Sequence, residues 1–259
     1  MGRIAMNLAN KVKNLSAEYG GYKTLRWVQD HIVDRSRLKE FDQRREFYRK
    51  LVSHGDLCFD VGSNIGDISS VLLALGARVV AVDPQPAAMR ELQARLAGNR
   101  NLTCVEAGLA DKPGQLDLYL HDQVGTTSMV HDWSAGKVRG KITVPVTTLD
   151  DLIARFGLPK YCKIDVEGFE FNVLKGLNRK IGMLSLEYHA DAKNMAVTNA
   201  CLDLLEQQGP LQINVIPFCH YSFAWPEWVA RNDFGMKFSS LAGNPDYAYG
   251  DIFVRYREN

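Results

Sequence analysis

"FDVGSNIGDIS", residues 59–69, joins a short apolar run to a helical one through Asp60 and two glycines four apart. Gly62 and Gly66 let the backbone turn tightly and approach a ligand closely. The stretch before it, "LCFDVG", reads as a buried strand, and the stretch after it, "DISSVLLALG", as a helix. Ile68, Leu72 and Leu75 share one face of that helix, and Gly76 closes it. A strand, a glycine turn and a helix in this order begin a nucleotide-binding βα unit.

The alternation continues downstream. "RVVAVD" is a second strand, and Pro84 suits the first position of the helix after it, with Met89, Leu92 and Leu96 facing the core. "LTCVEAG" is a third strand. "QLDLYLHD" and "KITVPVTT" alternate with period two and read as an antiparallel hairpin or edge addition. "TLDDLIARFG" is a helix whose Thr148 and Asp151 have capping-box spacing, and Asp150 reads as a second capping residue. "YCKIDVEG" and "MLSLEYH" are the fourth and fifth strands, separated by a helix with Phe169, Val173 and Leu177 on its face. A helix through Val197, Cys201, Leu204 and Leu205 leads to the last two strands, "LQINVIPF" and "DIFVRY". Such alternation predicts an α/β fold with a parallel sheet and right-handed crossovers.

Before residue 50 no strand is evident, and Ile4, Leu8, Val12 and Leu15 repeat at helical spacing. A helical N-terminal extension, 1–50, is therefore expected ahead of one domain, 51–259. The extension carries 12 Lys/Arg against 6 Asp/Glu, leaving +6, whereas the rest carries 19 against 24, or −5. Its basic helices are a solvated face or a contact for a second copy or a partner enzyme. No apolar run is long enough for a membrane span, and nucleic acid is not an expected partner. Five cysteines without zinc-site spacing fit a reducing, cytoplasmic setting.

In an open parallel sheet, ligands bind beyond the carboxyl ends of the strands. Asp60, Asp83, Asp165 and Glu187 all fall at such ends. The loop spacing is GxxxG, with Asn64 and Asp67 where the dinucleotide fingerprint GxGxxG has two of its glycines. Asp60 is a poor neighbour for a pyrophosphate and a good one for a cationic amino group. Asp83 suits the two hydroxyls of a ribose. The set favours S-adenosylmethionine over NAD. An NAD-dependent oxidoreductase and a non-catalytic binding module on the same fold are the rival readings.

"FDVGSNIGDIS", "AVDPQP", "VPVTTLDDL" and "KIDVEGFEFNVLKG" together resemble the FkbM family of S-adenosylmethionine-dependent methyltransferases, over roughly residues 40–190. The resemblance implies a Rossmann-like class I methyltransferase fold, with a seven-stranded, mostly parallel sheet whose last strand is antiparallel. It also implies O-methylation of a hydroxyl on a glycan, a glycosylated metabolite or another natural product. Carried onto this chain, Asp60, Gly62, Ser63, Asn64 and Gly66 form the cofactor loop, Asp83 holds the ribose, and Ala107 and Gly108 in "EAGLAD" run past the adenine. Asp165 belongs at the methyl.

Transfer to a hydroxyl needs an oxygen placed in line with the leaving sulfur and a group that takes its proton. His189 is the first candidate base, since an imidazole ordinarily titrates near neutrality. Asp165 is the second, as base or orienting acceptor. Glu187 lies two residues before His189 on the same side of an extended strand. Glu167 is either a catalytic carboxylate or a helix cap. Asp165, Glu187 and His189 have ligand types that suit a divalent cation, but the expected enzyme is metal-free. "GTTSMVHDW" and the aromatic-rich residues 210–250, with Tyr221, Trp225 and Trp228, are expected either near the acceptor or as a cover over the sheet.

Overall fold

The apolar runs on either side of the glycine loop become the middle of a sheet. In a computed structural model, which describes residues 34–121, 127–131, 133, 138–241 and 243–257, Leu57–Val61 (β1) is buried at every position. Its neighbours Arg78–Val82 (β2) and Tyr161–Ile164 (β8) are buried at all but the first residue of β2. Strands covered on both faces lose the polar alternation that marks a half-exposed strand. β1 pairs in parallel with β2 and with β8. β2 pairs with Leu102–Val105 (β3), and β8 with Met183–His189 (β9), again in parallel.

The chain then reverses. Tyr249–Tyr256 (β12) lies between β9 and Leu211–Pro217 (β10), antiparallel to both. The order across the sheet is β3–β2–β1–β8–β9–β12–β10, with the last strand in sequence inserted antiparallel. This is the mostly parallel sheet with an antiparallel last strand that the resemblance implies. An eighth, two-residue strand, Val229–Ala230 (β11), adds to the free edge of β10.

Helices cover the sheet: Asp67–Ala74 (α2), Pro86–Arg95 (α3), Leu149–Phe156 (α4), Glu170–Lys175 (α5), Ala192–Glu206 (α6) and Arg231–Ser239 (α7). They follow Asp34–Tyr48 (α1) in the chain. The capping box at α4 is formed in both directions: Asp151 N–H donates to Thr148 Oγ1 at 3.0 Å, and Thr148 N–H to Asp151 Oδ2 at 3.3 Å. Asp150 instead accepts from the backbone N–H and side-chain amide of Asn178, tying the start of α4 to the turn after α5. The helix after β2 begins at Pro86, with Gln85 as its N-cap, so Pro84 stands before the helix rather than in its first position.

The third strand is shorter than its sequence suggests. Its backbone turns after Val105, where Ala107 N–H donates to Val105 O. Gly108–Leu109 (β4) then joins a second, four-stranded sheet with Gly114–His121 (β5), Thr127–Ser128 (β6) and Val138–Thr147 (β7). β5 and β7 are the expected antiparallel pair.

By its internal contacts the chain divides into two units, Met1–Glu46 and Phe47–Asn259. Phe47 and Tyr48 are buried, edge-on to Phe253 and tilted on Tyr161 respectively. The helical pattern read over residues 1–33, and with it the partner surface expected there, lies outside the described residues.

Candidate functional site

Beyond the carboxyl ends of β1, β2 and β8 opens a cleft of about 110 Å³. It is lined by Gly62, Asn64, Asp83, Gly108, Asp165 and Glu167 among others.

Its floor is shaped by Gly62, at φ +77°. A Cβ there would lie 1.6 Å from the backbone oxygen of Asp165, so the β1 and β8 turns approach as closely as only glycine allows. Gly62 N–H and Ser63 N–H both donate to Val82 O, and Asp165 N–H donates to Val61 O. Three strand ends are thus tied at one point. Asn64, also left-handed at φ 46°, directs its N–H to Asp83 Oδ2 at 2.8 Å. Gln85 N–H takes Asp83 Oδ1 at 2.8 Å. The Asp83 carboxylate is held from both sides, yet each oxygen keeps a lone pair for a ribose hydroxyl. Burial raises its pKa, against the pull of those two N–H groups.

Asp60, Ser63 and Gly66 are not part of the cleft lining. Asp60 is buried and its Oδ2 accepts from Ser69 Oγ on α2 at 2.6 Å. It anchors the helix behind the loop. Gly66, at φ +85°, makes room for Leu92, which a Cβ would approach to 2.9 Å. Ala107 and Gly108 do line the cleft, with Met129 packed over Gly108.

At the far end of the cleft the carboxyl ends of β8 and β9 gather charge. Lys163, buried in β8, donates to Asp165 Oδ2 at 2.5 Å and lies 3.9 Å from Asp251 of β12. Burial pulls this ammonium down, but the Asp165 and Asp251 carboxylates outweigh it and hold it well above its usual range. Carboxylate oxygens of Asp165, Glu167 and Glu187 come within 4.8 Å of one another. Burial pushes Glu187 well above the ordinary carboxylate range, and the charges of Asp165, Glu167 and Glu170 add to the effect. Glu167 is raised by burial and by Asp165, with an opposing hydrogen bond from Trp133. These three carboxylates, rather than Asp165, Glu187 and His189, are the described residues grouped closely enough to hold a cation.

His189 Nε2 stands 3.5 Å from Glu187 Oε2, and neither atom makes a hydrogen bond. The two groups are adjacent, and both atoms are buried. Both lie one step outside the cleft lining, beyond Asp165 and Glu167.

Glu167 does not cap the following helix. Glu170, the first residue of that helix, instead holds the turn before it: its Oε1 accepts from Val166 N–H at 3.0 Å and from Gly168 N–H at 3.3 Å. Glu167, in the left-handed region at φ 56°, points elsewhere, and its Oε2 accepts from Trp133 Nε1–H at 2.6 Å. Ser128 Oγ–H donates to Glu167 O at 2.6 Å. The Trp133 ring lies where a Gly168 Cβ would sit, 2.1 Å from its Cε3, and meets His189 edge-on at 5.2 Å. The sequence pattern singled out neither Glu170's hold on the turn nor Trp133's contact. The signal for the first was present in "EGFE", where a carboxylate opens a helix after a glycine turn.

Burial of Glu170 moves its carboxyl from 4.5 to about 7, the helix-turn N–H groups opposing. A carboxyl raised in the folded state makes the protein less stable as pH climbs from the unfolded value through the folded one. The shift corresponds to roughly 3 kcal/mol lost between pH 4.5 and 7. Glu170→Gln keeps an acceptor for both N–H groups and removes the titration. Its unfolding free energy in urea, relative to the parent, is expected to rise by about that much from pH 5 to pH 8. A difference independent of pH would count against this assignment.

Trp225 and Trp228 are not at this site. Trp225 meets Phe234 edge-on, and the Trp228 ring carries the Arg255 guanidinium at 4.3 Å. Together they line a groove with Leu211 and Gln212, at the amino end of β10.

A family model described as the Methyltransferase FkbM domain matches residues 60–209. Hexuronic acid methyltransferase AglP of Haloferax volcanii is 26% identical over 193 residues, which cover 70% of this chain and 77% of that protein. Among solved structures, precorrin-6y C5,15-methyltransferase of Geobacter metallireducens aligns over 86% of both chains with TM-score 0.43 and 14% identity. Aeropyrum pernix fibrillarin with natively bound S-adenosyl-L-methionine aligns over 79% of this chain and 68% of its own, with TM-score 0.46 and 11% identity. The family match begins at the aspartate before the glycine loop and runs through the carboxylates of β8 and β9, more than half the chain. The chain therefore belongs to the FkbM methyltransferases, with S-adenosylmethionine as cofactor.

Proposed function

We propose that this methyltransferase acts on oxygen, at a hydroxyl of a glycan or a glycosylated metabolite. The observation that carries the reading is the Glu187–His189 pair beside the cleft, a base with an orienting carboxylate at the end where Asp165 and Glu167 project. The hexuronic acid named for the Haloferax relative supports a carbohydrate acceptor. Five free cysteines accord with the cytoplasm as the working compartment.

S-adenosylmethionine supplies a methyl group on a sulfonium, an inherently good leaving group. The residues of the chain have three tasks. Asp83 and the Gly62–Asn64 turn hold the nucleoside end. Asp165, fixed by Lys163, and Glu167, fixed by Trp133, accept hydroxyl hydrogens and orient the acceptor. His189 would take the proton from the acceptor hydroxyl as that oxygen received the methyl group, with the sulfur leaving as a neutral thioether. Fixed orientation accounts for as much as about 7–11 kcal/mol in favourable cases, and a general base for about 10²- to 10⁴-fold.

Calorimetric titration with S-adenosylhomocysteine tests the cofactor end. Asp83→Ala removes the ribose acceptor and leaves the Asn64 and Gln85 N–H groups without partners, so affinity is expected to fall about a hundredfold. The oxygen reading is tested by incubating the protein with methyl-labelled cofactor and a glycan panel, then locating the label. Label on nitrogen or carbon overturns it.

A further inference from the structure

We infer that the sugar ring receiving the methyl group is uncharged, and that it is held along a row of aromatic side chains by hydroxyls that donate to the carboxylates. This rests on the O-methyltransferase reading. It also separates this chain from a hexuronate acceptor.

The first ground is charge. Asp165, Glu167 and Glu187 converge within 4.8 Å, and Asp251 stands opposite Glu187 in the β9–β12 register. Lys163 is already engaged by Asp165 and Asp251. His189 faces Glu187. The sulfonium adds one positive charge, but burial and the neighbouring carboxylates already push Glu167 and Glu187 toward their protonated forms, and a further anion meets the same repulsion. Like charges brought together at a binding surface cost several kcal/mol. A uronate carboxylate placed here meets that cost.

The second ground is hydrogen-bond chemistry. A carboxyl group accepts when ionised and keeps acceptor capacity when protonated. Lys163 and Trp133 satisfy one oxygen each of Asp165 and Glu167, and Glu187 Oε2 accepts nothing. The wall therefore asks for donors. Neutral sugar hydroxyls provide them, and a uronate carboxylate provides none. A protonated amine would donate too, but it would stand beside the sulfonium and lacks the lone pair that transfer requires.

The third ground is the row of rings leading outward. Trp133 meets His189 edge-on at 5.2 Å, His189 lies parallel to Tyr249 at 5.9 Å, and Tyr249 lies against Phe218 at 4.6 Å. Phe218 is 52% exposed and Tyr249 38%. Large rings left half in water beside a polar site suit a ligand with both C–H faces and hydroxyls.

The test is equilibrium binding to the protein saturated with S-adenosylhomocysteine, with chelator present. The probes are paired oligosaccharides that differ only in a terminal hexose or the corresponding hexuronate. The neutral member is expected to bind at least about tenfold more tightly in each pair that binds, and Glu167→Gln to narrow the gap by about tenfold. Equal or tighter binding of the uronate member, or no binding by any neutral member, overturns the inference. A neutral ring that binds but accepts no methyl group instead removes the O-methyltransferase reading and leaves the charge preference standing.

Discussion

Gly62→Ala is expected to cost about 3–5 kcal/mol of folding stability and to lower affinity for S-adenosylhomocysteine by more than a hundredfold. Two penalties combine at this residue. The first is the left-handed backbone, φ +77°, which an L side chain adopts at a cost of roughly 1–2 kcal/mol. The second is steric. The new Cβ would lie 1.6 Å from the Asp165 carbonyl oxygen and 2.7 Å from its carbon, and both are backbone atoms that no rotamer change can move. The β1 and β8 turns must part, and with them the bonds from Gly62 and Ser63 N–H to Val82 O. Gly55→Ala separates the penalties, because Gly55 is equally left-handed at φ +84° with nothing within 4 Å of the added carbon. Only the roughly 1–2 kcal/mol backbone term is expected there. Urea unfolding of both variants reads the difference directly. Equal losses in the two would mean that the β1 and β8 turns accommodate the side chain.

Much of this arrangement is legible in local sequence because local rules produce it. The unbroken apolar run of "LCFDVG" marks a strand buried on both faces, and β1 is one. Thr148 and Asp151 are three apart, so their reciprocal bonds need no tertiary partner. Gly62 is readable as a tight turn for the same reason. What local rules cannot give is which distant group a side chain meets. Asp60 was expected to face a cationic amine, but the pleat and the helix that follows bring Ser69 onto it first. Glu167 and Glu170 are chemically alike and three residues apart. Which one holds the turn before α5 depends on a left-handed residue at 167 and on Trp133, 34 positions earlier. The aromatic surplus in residues 210–250 pointed toward an acceptor site, yet composition does not say which end of β10 each ring occupies. Tyr249 and Phe218 lie at the carboxyl end beside His189, whereas Trp225 and Trp228 lie at the other.

The same distinction bears on the base, where spacing alone could not choose between Asp165 and His189. Asp165 is already committed: its Oδ2 is held by Lys163, a buried cation whose own charge depends on it. Removing a proton from a hydroxyl would require Asp165 to weaken that pairing during the reaction. His189 has no such commitment at Nε2. Glu187 Oε2 lies 3.5 Å away. His189→Ala is accordingly expected to reduce turnover by about 10²- to 10⁴-fold, while the affinity for S-adenosylhomocysteine stays within about twofold, because His189 is not in the cleft lining. Glu187→Gln should show a smaller loss in turnover than His189→Ala. Added imidazole should restore part of the activity of a His189→Gly variant, which a purely structural role would not permit. Near-parental turnover in His189→Ala would transfer the proton to Asp165, and the Lys163 pairing would then have to be labile rather than fixed.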